Sequence, residues 1–511
     1  MKRNGGSIAV AVAAAIAGCP DAFARPAVDT SPDRAKYCVA PLVLTADQHF
    51  YYGNEIMELE RVGTLRPKSA AEVGEAGWAI HPTSLWEETK DYIAPLGLRS
   101  VRLYAAWDLT ERETGVFDFA WLDEKVDFCL ANGLNPILET SYGNPNRPNC
   151  GGGKLKARFP TGDDGLAAWD DWVDRLTKHF KGRVTDWSGW NEPDISPGYG
   201  KAGNSPEEIA AFCARTARTI RRNIPSARIA GLSLGTCNPY YIERVLELTG
   251  AENLKLYDYF IYHGYRPHPE SLYDSVDLIE RVVRAKAPHL KLWQGENGCP
   301  SEYNRVGALS DHGWTEISQA KWDMRRMLGD KARGIRSTVF ALSDFQRPGA
   351  VEQNRKGLLR TDAELKTVAI KPAYYAVQNV ASVFDAKVVR SRTPAPNAER
   401  AHVAIFAFER DGLPILAFWD TGDGHAAPDG NLRPLATRVQ WLKGKPMKDP
   451  VWIDLLSGRV YAYPKEFQHV FPLNYNRGDL VVFDYVPCVD SPCLLAERAT
   501  VEMVDVKNDG R

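Results

Sequence analysis

The feature of this 511-residue chain that most constrains its fold is an alternation of short apolar runs with amphipathic runs between about residues 76 and 386. The alternation supplies eight strand–helix units, with strands at 77–81, 100–107, 136–140, 187–191, 228–233, 259–263, 290–297 and 337–342. Such a repeat predicts a parallel sheet, and eight units suit a closed (β/α)8 TIM barrel. The alternative, an open doubly wound sheet, is less favoured because no glycine-rich phosphate fingerprint follows the first strand.

The pattern changes beyond about residue 385, where short strands alternate with Gly, Pro and Asp turns, for example at 402–408, 413–418 and 479–483. This spacing is typical of an all-β sandwich. We therefore expect a catalytic barrel over residues 76–385 and a β-sandwich accessory domain over 386–511. An N-terminal extension over 25–75 has room for a strand or two that would add to the β-domain.

The first 24 residues carry a secretory signal pattern. Lys2 and Arg3 precede an apolar run at 8–17, and Ala22-Phe23-Ala24 is a small-residue cleavage site. The segment 16–19 also resembles a lipoprotein cleavage box, which would leave Cys19 lipidated. We expect a secreted or periplasmic protein without a transmembrane segment. The net charge of −2 gives no electrostatic case for nucleic acid or an anionic membrane as partner.

Two further patterns carry structural expectations. Export permits disulfides among the nine cysteines, and Cys488 and Cys493 are the best local pair because they flank a turn-like segment. The charge run at 321–326 is expected to be the solvated face of a helix. No cysteine pair has zinc-ligand spacing with partner histidines, so no metal or cofactor is predicted.

Two carboxylic acids end predicted barrel strands. Glu192, in the triplet Asn191-Glu192-Pro193, ends the fourth strand, and Glu296 ends the seventh. Side chains at the C-terminal ends of barrel strands line one common mouth. A carboxylic acid that protonates the leaving oxygen and a second carboxylate that attacks the sugar are what glycosidic bond cleavage requires. We expect the two carboxyls about 5 Å apart across one pocket. Glu139 and Glu302 are competing acids nearby.

With these elements in register, the chain resembles the retaining glycoside hydrolases of clan A, most of all glycoside hydrolase family 39, over about residues 77–384. The resemblance implies that Glu192 is the acid/base and Glu296 the nucleophile, with no cofactor. It also implies that Asn191 holds the sugar 2-hydroxyl. Arg102 would hydrogen-bond the nucleophile carboxylate, and the resemblance extends to a His-x-Tyr segment on the sixth strand.

That segment is His263-Gly264-Tyr265, whose two polar side chains would contact the nucleophile and the substrate. His81, Tyr142 and Asp344 also fall near predicted strand ends and are further candidates for substrate binding. Arg102 and His263 have a second interpretation, as buried residues whose donors are satisfied by backbone carbonyls.

The environments of the two acids predict different protonation. An arginine beside Glu296 favours its charged form, whereas tryptophan-rich surroundings at Glu192 favour its protonated form. The sequence therefore predicts a secreted retaining hydrolase that acts on oligo- or polysaccharides. An endo-acting glycanase of the same clan and a non-catalytic carbohydrate-binding protein on the same scaffold are the alternatives.

Overall fold

The structure is a computed structural model that describes residues 25–31, 49–52, 55–82, 85–153, 155, 157–195, 204–310, 312–347, 350–422, 435–473 and 478–506. The expected signal peptide, its cleavage site and Cys19 lie outside these residues. Within the described ranges, no helix combines the length and the hydropathy that a bilayer-spanning segment needs.

The described part of the N-terminal extension forms three strands and one short helix: β1 (His49–Tyr52), β2 (Glu55–Glu58), β3 (Arg61–Leu65) and α1 (Ala70–Val73). β1 and β2 form an antiparallel pair. Neither this pair nor β3 joins the barrel, because all three strands belong to sheets of the C-terminal region.

Eight parallel strands form a closed barrel, which confirms the predicted fold class. They are β4 (Trp78–Ile80), β5 (Ser100–Tyr104), β6 (Asn135–Glu139), β7 (Asp186–Ser188), β8 (Arg228–Leu234), β9 (Tyr259–Tyr262), β10 (Lys291–Asn297) and β11 (Arg336–Val339). The strands follow one another around the barrel in chain order, and β11 pairs with β4 to close it. Their C-terminal ends therefore meet at one mouth.

Helices occupy the segments between the strands, as the amphipathic runs predict. They are α2 (Trp86–Thr89), α3 (Trp107–Thr110), α4 (Ala120–Ala131), α5 (Gly162–His179), α6 (Pro206–Asn223), α7 (Pro239–Leu254), α8 (Tyr273–Lys286), α9 (Glu316–Ala332) and α10 (Pro372–Val383). α6 begins with a capping box in which the Ser205 hydroxyl accepts from the Glu208 amide at 3.1 Å. The Glu208 carboxylate in turn accepts from the Ser205 amide at 2.7 Å.

The barrel interior is a packed core beneath the mouth. Ala79, Ile137, Ala230 and Trp293 come from β4, β6, β8 and β10 and belong to one buried cluster. A layer of four side chains from alternate strands is the usual filling of an eight-stranded barrel. This layer closes the barrel from below, so the polar side chains nearer the strand ends are the ones that face the mouth.

The C-terminal region is a sandwich of two β-sheets. The strands that follow β11 in the chain are β12 (Leu359–Thr361), β13 (Thr367–Ile370), β14 (Val388–Arg390), β15 (Asn397–Ala398), β16 (Val403–Arg410), β17 (Leu413–Asp420), β18 (Leu435–Leu442), β19 (Pro450–Asp454), β20 (Arg459–Ala462), β21 (Gln468–Pro472), β22 (Asp479–Cys488), β23 (Cys493–Glu497) and β24 (Met503–Asp505). β12 and β13 form a separate hairpin before α10. One sheet runs β2-β1-β18-β22-β21, with β15 on β18, and the other runs β14-β16-β17-β23-β19-β20-β3-β24. The strands of the N-terminal extension thus pair with both sheets.

The expectation of a solvated charge run at 321–326 is wrong, because these residues lie on α9 beneath the β-sandwich. Lys321, Asp323, Arg325 and Arg326 are at most 1% exposed. Lys321 Nζ lies 2.7 Å from a carboxylate oxygen of Asp490, and Arg325 donates to the Asp490 carbonyl at 2.9 Å. The partners come from a distant part of the chain, so the local charge pattern could not predict this burial.

The cysteine pair singled out from the sequence is not bonded in the structure. Cys488 ends β22 in one sheet and Cys493 begins β23 in the other, and both are buried free thiols in the core of the sandwich. Cys129 and Cys213 are buried as well, and burial raises the pKa of each thiol to about 12. These are inert core positions rather than reactive thiolates.

We predict that Asp490→Ala destabilises the protein by about 3–5 kcal/mol, because it leaves the buried ammonium of Lys321 without its carboxylate. Urea unfolding monitored by tryptophan fluorescence measures this free energy. Lys178→Ala is the matched control, since it removes an exposed ion pair with Asp174 on α5 and should change stability little. Equal effects of the two substitutions would show that the contact between α9 and the sandwich does not stabilise the fold.

Candidate active site

The two acids predicted from the sequence meet at the barrel mouth. Glu192 lies four residues beyond the end of β7, and Glu296 is the second-last residue of β10. Ligand atoms of Glu192, His263 and Glu296 all lie within 4.8 Å of one another. Glu192 is 8% exposed and Glu296 6%, so neither carboxyl is sealed in the interior. The spacing matches the carboxyl separation of about 5 Å that retaining glycosidases use, and not the 6.5–9.5 Å of inverting ones.

The backbone around the acids is shaped to hold them. Glu192 has a positive φ of 46°, a conformation that is costly for a residue with a Cβ and that concentrates at functional sites. Gly235, just after β8, faces it, and a Cβ there would lie 3.1 Å from a Glu192 carboxylate oxygen. A Cβ at Gly295 would lie 2.4 Å from Ile261 Cγ2 and 3.1 Å from His263 Nε2. Glycine at both positions leaves room for the site side chains.

His263 and Tyr265 connect the sixth strand to both acids. His263 Nδ1 lies 2.7 Å from Glu192 Oε1 and 3.6 Å from Glu296 Oε2. Burial lowers the pKa of His263 to about 4, so the ring is neutral near pH 7 and carries one N–H. A hydrogen on Nδ1 pairs with Glu192. The Tyr265 hydroxyl donates to Glu296 Oε2 at 3.1 Å.

Arg102 on β5 is a fully buried cation that links several strand ends. It pairs with the carboxylate of Glu139 and donates to the Asn191 side-chain oxygen at 2.7 Å and to the Gly295 carbonyl at 2.8 Å. Its distance to Glu296 Oε1 is 3.6 Å, so it acts on that carboxylate as a nearby charge and not through a close hydrogen bond. Its close contacts are therefore with Glu139, Asn191 and the β10 backbone.

The predicted charge state of Glu296 needs correction. Burial raises its pKa above the ordinary glutamate value, and the neighbouring Glu192 charge adds to the rise. His263 and Arg102 oppose these effects without reversing them. From the sequence we expected the arginine to keep Glu296 charged. Arg102 is, however, shared with Glu139, whose own pKa is also raised by burial. These surroundings therefore favour retention of protons in this group of carboxyls.

The structure brings some of the other predicted substrate-binding residues to the acid pair and not others. Tyr142 lies beside the pair, with its hydroxyl accepting from Asn191 Nδ2 at 2.9 Å. His81 is fully buried at the end of β4, in edge contact with the Tyr104 ring at 4.8 Å. Asp344 is fully buried in an ion pair, 2.7 Å from Lys371 Nζ, and also contacts Arg355 at 3.2 Å. Its contacts are thus those of a residue that ties β11 to the following loop.

The contacts of the two competing acids, Glu139 and Glu302, set them apart from the acid pair. Glu139 has no exposed surface; it pairs with Arg102 and accepts from the Ser141 hydroxyl at 2.5 Å. Glu302 pairs with Arg355 at 3.0 Å and with Arg360 at 3.1 Å. Neither belongs to the group formed by Glu192, His263 and Glu296, so the geometry favours the two strand-end acids.

Two residues near the site were not identified from the sequence. Asp194 accepts from the amides of Gly235 and Thr236 at 2.8 and 2.9 Å, and burial with a contribution from Glu192 raises its pKa to about 6. Lys356 Nζ lies 5.4 Å from the Tyr265 ring centroid, and burial lowers its pKa to about 7. Asp194 is two residues after Glu192, which is a signal that sequence reasoning could have used. Lys356 is on a loop far along the chain and gave none.

The acid pair with His263 is also a group whose atoms are close enough to hold a cation. One histidine nitrogen and two carboxylates are ordinary ligands for a divalent metal. The same atoms are already engaged with each other and with Tyr265, and their geometry suits proton transfer and nucleophilic attack without a metal.

Sequence comparisons match short parts of the chain. The model for glycoside hydrolase family 42, described as β-galactosidase, matches residues 79–149, which include β5 and Arg102. The β-galactosidase Bga of Halorubrum lacusprofundi is 35% identical over 65 residues. That segment covers 12% of this chain and only 9% of the Halorubrum protein.

Structure comparisons cover most of the chain. A family 39 glycoside hydrolase from Bacteroides cellulosilyticus WH2 matches with a TM-score of 0.59 and 18% identity, over 85% of this chain and 83% of that one. The GH39 enzyme of Xanthomonas axonopodis pv. citri has a TM-score of 0.53 and 15% identity, over 84% and 94%. The family 30 subfamily 8 xylanase Xyn30A of Clostridium acetobutylicum has 0.52 and 12%, over 86% and 97%.

The proteins that this chain resembles are glycoside hydrolases. At these identities the structural matches show a shared fold, and they confirm the resemblance to clan A, with family 39 among its members, at that level. The sugar and the linkage that the relatives act on do not carry over with the fold.

We predict that Glu192→Gln lowers the pKa of Glu296, because it removes the like charge that helps to raise it. The titration of the Glu296 carboxyl carbon in 13C-labelled protein measures the midpoint, which should move to lower pH. Glu302→Gln is the matched control and should leave the midpoint in place. A midpoint that is unchanged or higher in Glu192→Gln would contradict the close approach of the two carboxylates.

Proposed function

We propose that this chain is an exported retaining glycosidase in which Glu192 is the acid/base and Glu296 the nucleophile. The observation that carries the proposal is the approach of the two carboxylates within 4.8 Å at the mouth of an eight-stranded barrel. A covalent mechanism needs the nucleophile and the acid on either side of one glycosidic bond at about this spacing. The signal pattern in the sequence supports export.

In the first step, Glu296 attacks the anomeric carbon while Glu192 protonates the departing oxygen. The product of this step is a glycosyl ester on Glu296, and the aglycone leaves as an alcohol. The Tyr265 hydroxyl, 3.1 Å from Glu296 Oε2, helps to hold the attacking carboxylate in position. The neutral N–H of His263 fixes the Glu192 carboxyl.

In the second step, the roles at Glu192 reverse. The Glu192 carboxylate takes a proton from water, the water oxygen attacks the anomeric carbon, and the ester to Glu296 breaks. Two displacements at one carbon restore its original configuration. The amide of Asn191, held between Arg102 and Tyr142, stands beside Glu192 and is suited to hydrogen-bond a sugar hydroxyl next to the reacting carbon.

The raised pKa of Glu296 is the behaviour expected of two close carboxyls that share one proton. With both carboxyls close, the first proton is lost readily and the second is held, which leaves one acid and one carboxylate available together. Because the nucleophile must be ionised, activity should rise as pH increases through the acidic titration of the pair. It should fall again when the remaining proton is lost.

Azide rescue on a panel of aryl glycosides tests the two roles. Glu296→Ala should give no measurable turnover, and azide should restore product as the glycosyl azide of opposite anomeric configuration, since one displacement replaces two. Glu192→Ala should lose on the order of 10²- to 10⁴-fold on poor leaving groups. On good leaving groups azide should accelerate it and give the glycosyl azide of retained configuration.

Glu302→Ala is the control for this experiment and should keep wild-type turnover. The reverse pattern of azide products would exchange the two roles. Binding of saccharides by the wild-type protein without turnover on any glycoside would favour the alternative of a non-catalytic carbohydrate-binding protein. Product lengths released from natural polysaccharides would separate chain-end cleavage from internal cleavage.

We predict that Tyr265→Phe lowers kcat by about 10- to 150-fold, the loss expected for one hydrogen bond to a charged group. The loss of that bond should also raise the pKa of Glu296, so the acidic limb of the kcat/KM profile should move to higher pH. Tyr303→Phe, at an exposed position, is the control. A reduced kcat with an unmoved acidic limb would mean that Tyr265 does not act on Glu296.

A further inference from the structure

A second cavity lies at the opposite end of the barrel from the acid pair. It has a volume of about 390 Å³ and is lined by residues at the N-terminal ends of several barrel strands, including Ser100, Asn135 and Tyr259. We refer to it as the basal pocket. Its size is at the lower end of the range for small-molecule sites.

The basal pocket is strongly cationic. Six lining side chains are positively charged: Arg99, Arg228, Lys291, Lys331, Arg336 and Arg390. Glu75 is the one acidic residue of the lining. A second carboxylate, that of Asp186, lies beneath the lining arginines Arg228 and Arg336. The pocket therefore has an excess of four positive charges in a chain whose net charge is −2.

Two of the arginines are fixed by the carboxylate below them. Arg228 lies 2.6 Å from Asp186 Oδ2, and Arg336 lies 3.3 Å from Asp186 Oδ1. Arg336 also donates to the Ser100 hydroxyl at 2.7 Å and packs over the Trp293 ring at 4.3 Å. These contacts hold the guanidinium groups in place before any ligand arrives, which lowers the entropy cost of binding.

The other cations of the pocket have no ion pair among the described residues. Arg99, Lys291, Lys331 and Arg390 form none there, and the Nε atoms of Arg99 and Arg336 are buried donors without an acceptor. Asp385 acts on Lys331 from a distance, but Lys68 and Arg410 already hold its carboxylate at 2.9 and 2.8 Å. Burial lowers the pKa of Lys331 to about 8, which is the cost of a cation without a close counterion.

The attraction of helix C-termini for positive charge does not account for most of the cations in the basal pocket. Helix C-termini point to this face and attract positive charge. Of the six cations, Lys331 alone lies in a helix, in the last turn of α9. Arg228, Lys291 and Arg336 are first residues of β8, β10 and β11, where unpaired backbone groups give no such attraction.

We propose that the basal pocket binds a tetrahedral oxyanion of the phosphate or sulfate class, either free or as the ester group of a sugar. Guanidinium groups bind such anions through paired N–H donors, and lysine contributes point charges around them. A sugar ester would place its anionic group among the cations that line the pocket and its ring toward the exposed Lys291. This binding does not depend on the proposed function, because it uses no residue of the acid pair.

Isothermal titration of the full chain tests the proposal, at constant ionic strength and in a buffer without oxyanions. Inorganic phosphate, sulfate and glucose 6-phosphate are the titrants, and glucose is the neutral control. Saturable one-site binding of the anions is expected. The ratio of the affinities for phosphate and glucose 6-phosphate then distinguishes a free ion from a sugar ester.

The double variant Lys291→Gln/Lys331→Gln should weaken anion binding at least about tenfold, because it removes two charges next to the ligand. Lys178→Gln/Lys255→Gln makes the same change in net charge at exposed positions elsewhere and should leave binding intact. Far-UV circular dichroism and the urea unfolding midpoint of both variants check that the barrel is folded. Absence of saturable binding, or equal weakening in both double variants, would overturn the proposal.

Discussion

The arrangement of the candidate site depends on one buried cation at the centre of the barrel. Arg102 has no exposed surface, so its charge must be compensated from within the protein. It meets Glu139 on β6, the Asn191 amide beyond β7 and the Gly295 carbonyl on β10. Glu192 follows Asn191, and Glu296 follows Gly295. The same guanidinium group therefore sets the positions of both acids through the residues that precede them.

This network also explains the electrostatics of the pair. The arginine that neutralises Glu139 is only 3.6 Å from Glu296, but it cannot serve both carboxylates fully. Burial and the approach of Glu192 therefore raise the Glu296 pKa. Such a raised value is unfavourable in a nucleophile and suitable in a pair that must hold one proton and lose another. A substitution of Glu139 should for this reason change the pKa of Glu296, although the two carboxylates are not in direct contact.

The fold was largely predictable from the sequence, because the strand–helix alternation and local capping signals are local properties of the chain. The capping box of Ser205 and Glu208 at the start of α6 is an example of such a local signal. The positions of Glu192 and Glu296 also followed, since parallel strands bring their C-terminal ends to one mouth. Burial of α9 was not predictable, because its charged residues are compensated by Asp490 from the far end of the chain.

The remaining site residues also divide into those that the sequence placed correctly and those whose contacts it could not predict. Asn191, Arg102, His263 and Tyr265 lie around the acids, as the family resemblance implied. Asp344 ends up in an ion pair with Lys371, a partner that strand position does not reveal. The shared use of Arg102 is a property of three-dimensional distances, so the direction of the Glu296 pKa shift could not be read from neighbouring residues in the sequence.

The most direct test of the account is covalent trapping with 2-deoxy-2-fluoroglycosyl fluorides, whose glycosyl–enzyme intermediates hydrolyse slowly. Intact-protein mass spectrometry should show the addition of one fluorosugar, and peptide mapping should place it on Glu296. Label on Glu139 or Glu192, or a protein that turns over glycosides and never accumulates an adduct, would contradict the assignment of the two carboxylates on which the mechanism rests.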